Sequence, residues 1–125
     1  MIKKNLSILI VDDNLNFVNR LVGLIRELDS IGYIQVAENY EEACRCLADE
    51  SPDVALLDIN LPGKNGMIFL KKLKLAAPGC EVIMITNHAD EYYRQQCYEM
   101  GANYFLDKTI EFGKVPFILK ELSLN

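Results

Sequence analysis

Short apolar runs alternate with amphipathic helical stretches along this 125-residue chain, and that alternation restricts the fold more than any other feature. "LSILIV" (Leu6–Val11) is continuously apolar apart from Ser7, and Phe17, Val18, Leu21, Leu24, Ile25 and Leu28 then recur at helical spacing as one stripe. "YIQVA" at 33–37 alternates as a short strand, and Asn39 with Glu42 three residues on marks a helix start, with Ala43, Cys46 and Leu47 facing inward. "DVALL" at 53–57 is a third strand, followed by a helix over 67–77 that Pro78 and Gly79 stop. A fourth strand at 81–85, a helix over 90–100 closed by Gly101, a short strand at 103–106 and a last helix complete the series. That helix carries Val115, Ile118, Leu119 and Leu122, and Pro116 places its start just before the proline, which a first helical turn tolerates.

Five strands alternating with five helices imply an α/β architecture, a doubly wound parallel sheet covered on both faces. Strands one, three and four are nearly all apolar, as burial on both faces demands, whereas strand two carries Gln35 and reads as an edge. This pattern fits the order 2-1-3-4-5, in which ligands bind beyond the carboxyl ends of the strands. No repeat, low-complexity tract or linker interrupts the pattern, so residues 1–125 read as a single domain.

Composition excludes several classes. No apolar stretch approaches the roughly 20 residues a membrane span needs. The start, "MIKKNLSILIV", lacks a small-residue cleavage site and runs directly into Asp12 and Asp13, so it reads as a first strand rather than a signal peptide. A formal net charge of −5 argues against nucleic acid as a direct ligand, and the basic cluster Lys71, Lys72 and Lys74 falls on an amphipathic helix as a solvated face. Cys44, Cys46, Cys80 and Cys97 form no C-x-x-C pair and read as reduced, packed thiols of a cytoplasmic protein.

The polar residues collect at the strand ends. Strand one ends in Asp12 and Asp13, strand three in Asp58, strand four in Thr86, and strand five in Asp107 and Lys108. Asp58 by itself is weak evidence, because aspartate commonly starts a turn. In the order 2-1-3-4-5, however, Asp12, Asp13, Asp58, Thr86 and Lys108 converge on one rim. Three crowded carboxylates repel unless a counter-charge joins them, and hard oxygen ligands with some water favour Mg²⁺. A metal, an ammonium and a hydroxyl around a carboxylate can hold a phosphoryl group on it.

The motifs "ILIVDDN", "DVALLDINLPGKNG", "VIMIT" and "GANYFLDK" together resemble the receiver domain of two-component response regulators over essentially the whole chain. The resemblance implies the flavodoxin-like (βα)5 receiver fold. It implies that Asp58 accepts a phosphoryl group from a histidine kinase, a phosphotransfer protein or a small acyl phosphate. Asp13, Asp58 and the backbone carbonyl of Asn60 would bind Mg²⁺ directly, and Asp12 through water. Lys108 and Thr86 would contact the phosphoryl oxygens, and Phe105 falls at the family's switch aromatic. The expected activity is a conformational switch acting on a downstream protein target or output domain, with only self-phosphorylation and dephosphorylation chemistry. The ending "KELSLN" fits both a single-domain regulator and the receiver portion of a longer protein.

Two residues depart from the family pattern. Thr109 stands where proline, often with a cis bond, usually follows the lysine, so a trans bond is expected. Asn87 stands where a small residue usually follows the threonine, and its side chain is expected to narrow access to the phosphoryl site and alter dephosphorylation. His88 and Asn60 occupy positions that often tune phosphate lifetime. Tyr92, Tyr93, Tyr98 and Tyr104 cluster near the fourth helix and fifth strand. They fit either a partner or phosphorylation-dependent dimer face, or half-buried support for the sheet.

Two other readings compete. One is a degenerate receiver that binds a partner whatever its phosphorylation state. The other is a small Mg²⁺-dependent phosphohydrolase passing through an aspartyl phosphate, although Asn60 is an amide where such an enzyme needs a second acid. A flavin or nucleotide module is disfavoured because the first loop lacks a glycine-rich phosphate cradle.

Overall fold

The computed structural model describes residues 5–124. The basic residues at 3 and 4 that open the sequence, and the last residue of the 1–125 domain expectation, lie outside the described residues.

The elements run β1 (Leu6–Val11), α1 (Leu15–Ile25), β2 (Ile31–Ala37), α2 (Tyr40–Asp49), β3 (Val54–Leu57), α3 (Gly66–Ala76), β4 (Glu81–Thr86), α4 (Glu91–Glu99), β5 (Tyr104–Asp107), a 3-10 turn (Phe112–Lys114) and α5 (Val115–Leu122). All strand pairs are parallel and the sheet order is β2-β1-β3-β4-β5, as expected from the sequence.

Period-two alternation sends successive side chains to opposite faces and builds two cores. Ile8, Ile10, Val54 and Leu56 pack with Phe17, Leu21 and Ile25 of α1 and with Val115 and Leu119 of α5. Leu9, Val11, Ala55 and Leu57 pack on the other face with Leu47 of α2, Phe69, Leu70 and Leu73 of α3, and Cys97 of α4. The central strands are therefore apolar on both sides, while the edge strand β2 leaves Tyr33 and Val36 exposed.

The helix starts follow from side-chain caps. Asn14 Oδ1 accepts from the Phe17 N–H at 3.1 Å, Asn39 Oδ1 from Glu42 at 2.9 Å, and Asp90 Oδ1 from Tyr93 at 3.0 Å. β2 begins two residues before the alternating stretch, at Ile31, because Leu6 pairs there ahead of a register shift. Helix α1 ends at Ile25, yet Leu28 still packs against the core, so the apolar stripe outruns the helix. Pro116 lies in the first turn of α5.

Candidate functional site

The sheet order brings the ends of β1, β3, β4 and β5 to one rim, and three ionisable groups meet there below the surface. Asp12 is 1% exposed, Asp58 6% and Lys108 8%. Lys108 Nζ lies 2.8 Å from Asp12 Oδ2 and 3.1 Å from Asp58 Oδ2, so one ammonium spans the carboxylates of two strands. Its other side faces the Phe17 ring, with Nζ 4.5 Å from the centroid. Asp13 is exposed, and ligand oxygens of Asp12, Asp13 and Asp58 all lie within 4.8 Å of one another.

Burial pushes the Asp12 carboxyl above its ordinary value, against the pull of Lys108 and of the Asn14 N–H that donates to Asp12 Oδ1 at 2.8 Å. Burial alone would lower the Lys108 ammonium, but Asp12 and Asp58 outweigh it and hold it above its ordinary value. The buried Asp12 Oδ2 has the Lys108 ammonium as its close charged partner at 2.8 Å. Three carboxylates with oxygens within 4.8 Å of one another share a single ammonium, and that donor set fits a hard divalent cation such as Mg²⁺.

The other expected residues have separate environments. Thr86 is fully buried, and its hydroxyl accepts the His88 N–H at 3.1 Å. Asn60 is exposed and its N–H donates to Asp58 Oδ1 at 3.2 Å. Phe105 is buried in the core shared with α3 and α4. The Arg94 guanidinium lies 5.0 Å from the Phe105 ring centroid and donates to its carbonyl at 3.4 Å. Asp107 is not among the clustered carboxylates, and its carboxylate accepts the N–H groups of Thr109 at 2.8 Å and Ile110 at 3.3 Å. No peptide bond among the described residues is cis, so Lys108–Thr109 is trans, as expected for a residue other than proline. Among the tyrosines, Tyr92 and Tyr98 face solvent while Tyr93 and Tyr104 pack partly into the two cores.

The loop after β3 explains its glycines. Gly63 adopts φ +85°, a left-handed conformation that side chains disfavour. Gly66 donates its N–H to the Ile59 carbonyl at 2.7 Å, and a Cβ there would collide with the Asp58 carbonyl oxygen. In the sequence Gly66 closes the motif DVALLDINLPGKNG and Phe17 belongs to the apolar stripe of the first helix. The only signals for their places at the site were the glycine's closeness to Asp58 and the phenylalanine's position just after the Asp12–Asp13 pair.

A doubly wound sheet that gathers acids, a lysine and a buried threonine at its carboxyl rim is the arrangement that the resemblance to receiver domains implies. Residues 8–120 match the family model of the response regulator receiver domain, and the chain belongs to that family. It is 33% identical over 105 residues to a cyclic di-GMP phosphodiesterase of Thermotoga maritima, covering 84% of this chain but 27% of that protein. The signal receiver domain of a DNA-binding response regulator from Colwellia psychrerythraea superposes with a TM-score of 0.89 at 25% identity, over 97% of this chain and 100% of that one. A Burkholderia pseudomallei response regulator with a phosphorylated aspartic acid, a calcium ion and citrate aligns with a TM-score of 0.77 at 25% identity, over 87% of this chain and 63% of that one. The chain is thus a response regulator receiver domain, and no helix among its described residues is long and apolar enough to cross a membrane.

Proposed function

We propose that Asp58 is the phosphoryl acceptor of this receiver domain, taking the group from the phosphohistidine of a cytoplasmic histidine kinase or phosphotransfer protein. The observation that carries this reading is the buried Lys108 ammonium, held 2.8 Å from Asp12 and 3.1 Å from Asp58. Asp13, Asp58 and the Asn60 backbone carbonyl would hold Mg²⁺, with Asp12 acting through water, and the cation would offset the charge gathered on the carboxylates and the phosphoryl oxygens.

A carboxylate oxygen of Asp58 attacks phosphorus, its new P–O bond forms as the P–N bond breaks, and the imidazole nitrogen leaves with that electron pair and takes a proton from solvent. Lys108 turns from Asp58 to a phosphoryl oxygen, keeping a negative partner throughout. The Thr86 hydroxyl donates a hydrogen bond to another phosphoryl oxygen. The rotation of Thr86 disturbs the His88 N–H that it now accepts, and it shifts the packing that holds Phe105. The result is a switch read by a protein target or output domain, with the exposed Tyr92 and Tyr98 on the readout face, and with no turnover of an external substrate.

Phosphoramidate is a small P–N donor that tests this chemistry. With Mg²⁺ the chain is expected to shift to one phosphorylated species on a phosphate-affinity gel, and to show no shift with EDTA. Equal labelling with and without EDTA would contradict the proposed site.

A further inference from the structure

Asn87 and Thr109, the two residues that depart from the family pattern, are bonded to each other. Thr109 Oγ1 donates to Asn87 Oδ1 at 3.3 Å. Each follows directly after a group proposed above to grip the phosphoryl oxygens, Thr86 and Lys108. The bond also continues the β4–β5 pairing past the strand ends. Thr86 is in register with Asp107, the Lys108 N–H donates to the Thr86 carbonyl at 3.0 Å, and Thr109 to Asn87 links the two loops just beyond through side chains.

The rest of each loop is fixed independently of this bond. The Thr109 N–H is committed to Asp107, and the His88 N–H to Thr86. These bonds hold the Thr109 and His88 backbones in place on either side of the Asn87–Thr109 contact. Both side chains line a polar pocket of about 410 Å³ that opens beside Lys108, together with Asn14, Asn16 and Arg20.

We propose that the Asn87–Thr109 bond is a clasp across the mouth of the phosphoryl site that prolongs the life of the acyl phosphate. The inference rests on Asp58 as acceptor. In hydrolysis a water oxygen bonds to phosphorus, the bond from phosphorus to the Asp58 oxygen breaks, and the carboxylate leaves with that electron pair. Inorganic phosphate is released, and the water's surplus proton passes to phosphate or solvent. A free hydroxyl or amide at the pocket mouth can hold and polarise such a water. Bonded to each other, Thr109 commits its one hydroxyl proton and Asn87 its carboxamide oxygen, and they tie together the two loops that carry Lys108 and Thr86. Both are positioning residues, since neither touches the metal ligands.

The test is the decay of phosphorylated chain after removal of acetyl phosphate, with Mg²⁺ present throughout. Asn87→Ala and Thr109→Val are each expected to shorten the lifetime about fivefold, the factor that corresponds to one net hydrogen bond. The double variant should decay no faster than either single one, and Thr109→Ser, which keeps the hydroxyl, should retain the wild-type lifetime. Both positions are exposed, so the fold should tolerate these changes. Unchanged or longer lifetimes, additive effects in the double variant, or failure of Thr109→Ser to restore the lifetime would overturn the clasp alone. No adduct on the wild type would overturn the acceptor reading, and the clasp's role with it.

Discussion

The bare Cα of Gly66 packs against the backbone of Asp58, so closely that a Cβ at position 66 would overlap the Asp58 carbonyl oxygen. The start of α3 is thereby seated directly beneath the proposed acceptor. The contact is with backbone, which cannot rotate away as a flexible side chain can. Gly66→Ala is expected to cost about 3 kcal/mol, the upper range for overpacking a close contact. Urea unfolding of both proteins checks this, and an unchanged midpoint would show that the loop moves aside freely.

Asp12 should trade stability for ion binding. Its folded pKa lies above the ordinary carboxylate value because burial outweighs the attraction of Lys108. The folded chain therefore holds the Asp12 proton more tightly than the unfolded chain. That contribution favours folding in acid and is lost as pH rises through the folded pKa, above which a buried charge remains. In EDTA above that folded pKa, Asp12→Asn is expected to be more stable than wild type, since Asp58 still pairs Lys108 at 3.1 Å, and to lose that part of the pH dependence. Mg²⁺ affinity should fall by at least about tenfold, as for a group acting through the second coordination shell. Urea midpoints across pH and calorimetric titration with Mg²⁺ measure the two effects, and a less stable Asp12→Asn would contradict the account.

Arg94 restrains Phe105 from outside the core, through the face of its ring and through its carbonyl. Arg94→Ala should cost about 1 kcal/mol, the sum expected for one exposed cation–π contact and a long hydrogen bond. It should also let the Phe105 ring reorient more readily in the unphosphorylated chain. Aromatic NMR line shapes report that motion directly, and rings as ordered as in wild type would deny Arg94 any part in the switch.

Much of this architecture was legible in the sequence because periodicity carries it. The apolar runs of β1, β3 and β4 marked the buried strands, Gln35 marked the edge, and the strand order followed. That order was enough to bring Asp12, Asp58 and Lys108 to one rim. Contacts between separate loops left no such trace. Nothing in the spacing of Asn87 and Thr109 signals their bond, and the overlap of Gly66 with Asp58 depends on how α3 enters the sheet. Phe17 belongs to an ordinary apolar stripe, and only the folded position of Lys108 gives its ring a charged neighbour. The end of α1 was blurred for a related reason, since Leu28 remains in the apolar pattern after helical hydrogen bonding has ended.

The central claim, that Asp58 takes the phosphoryl group, is tested most directly by intact mass after incubation with acetyl phosphate and Mg²⁺, wild type beside Asp58→Asn. The account predicts a single base-labile phosphoryl adduct on wild type and none on the variant. An equal adduct on Asp58→Asn would place the acceptor elsewhere. With Mg²⁺ binding verified and a phosphohistidine donor also tried, no adduct on either protein would make this a receiver that works without phosphate.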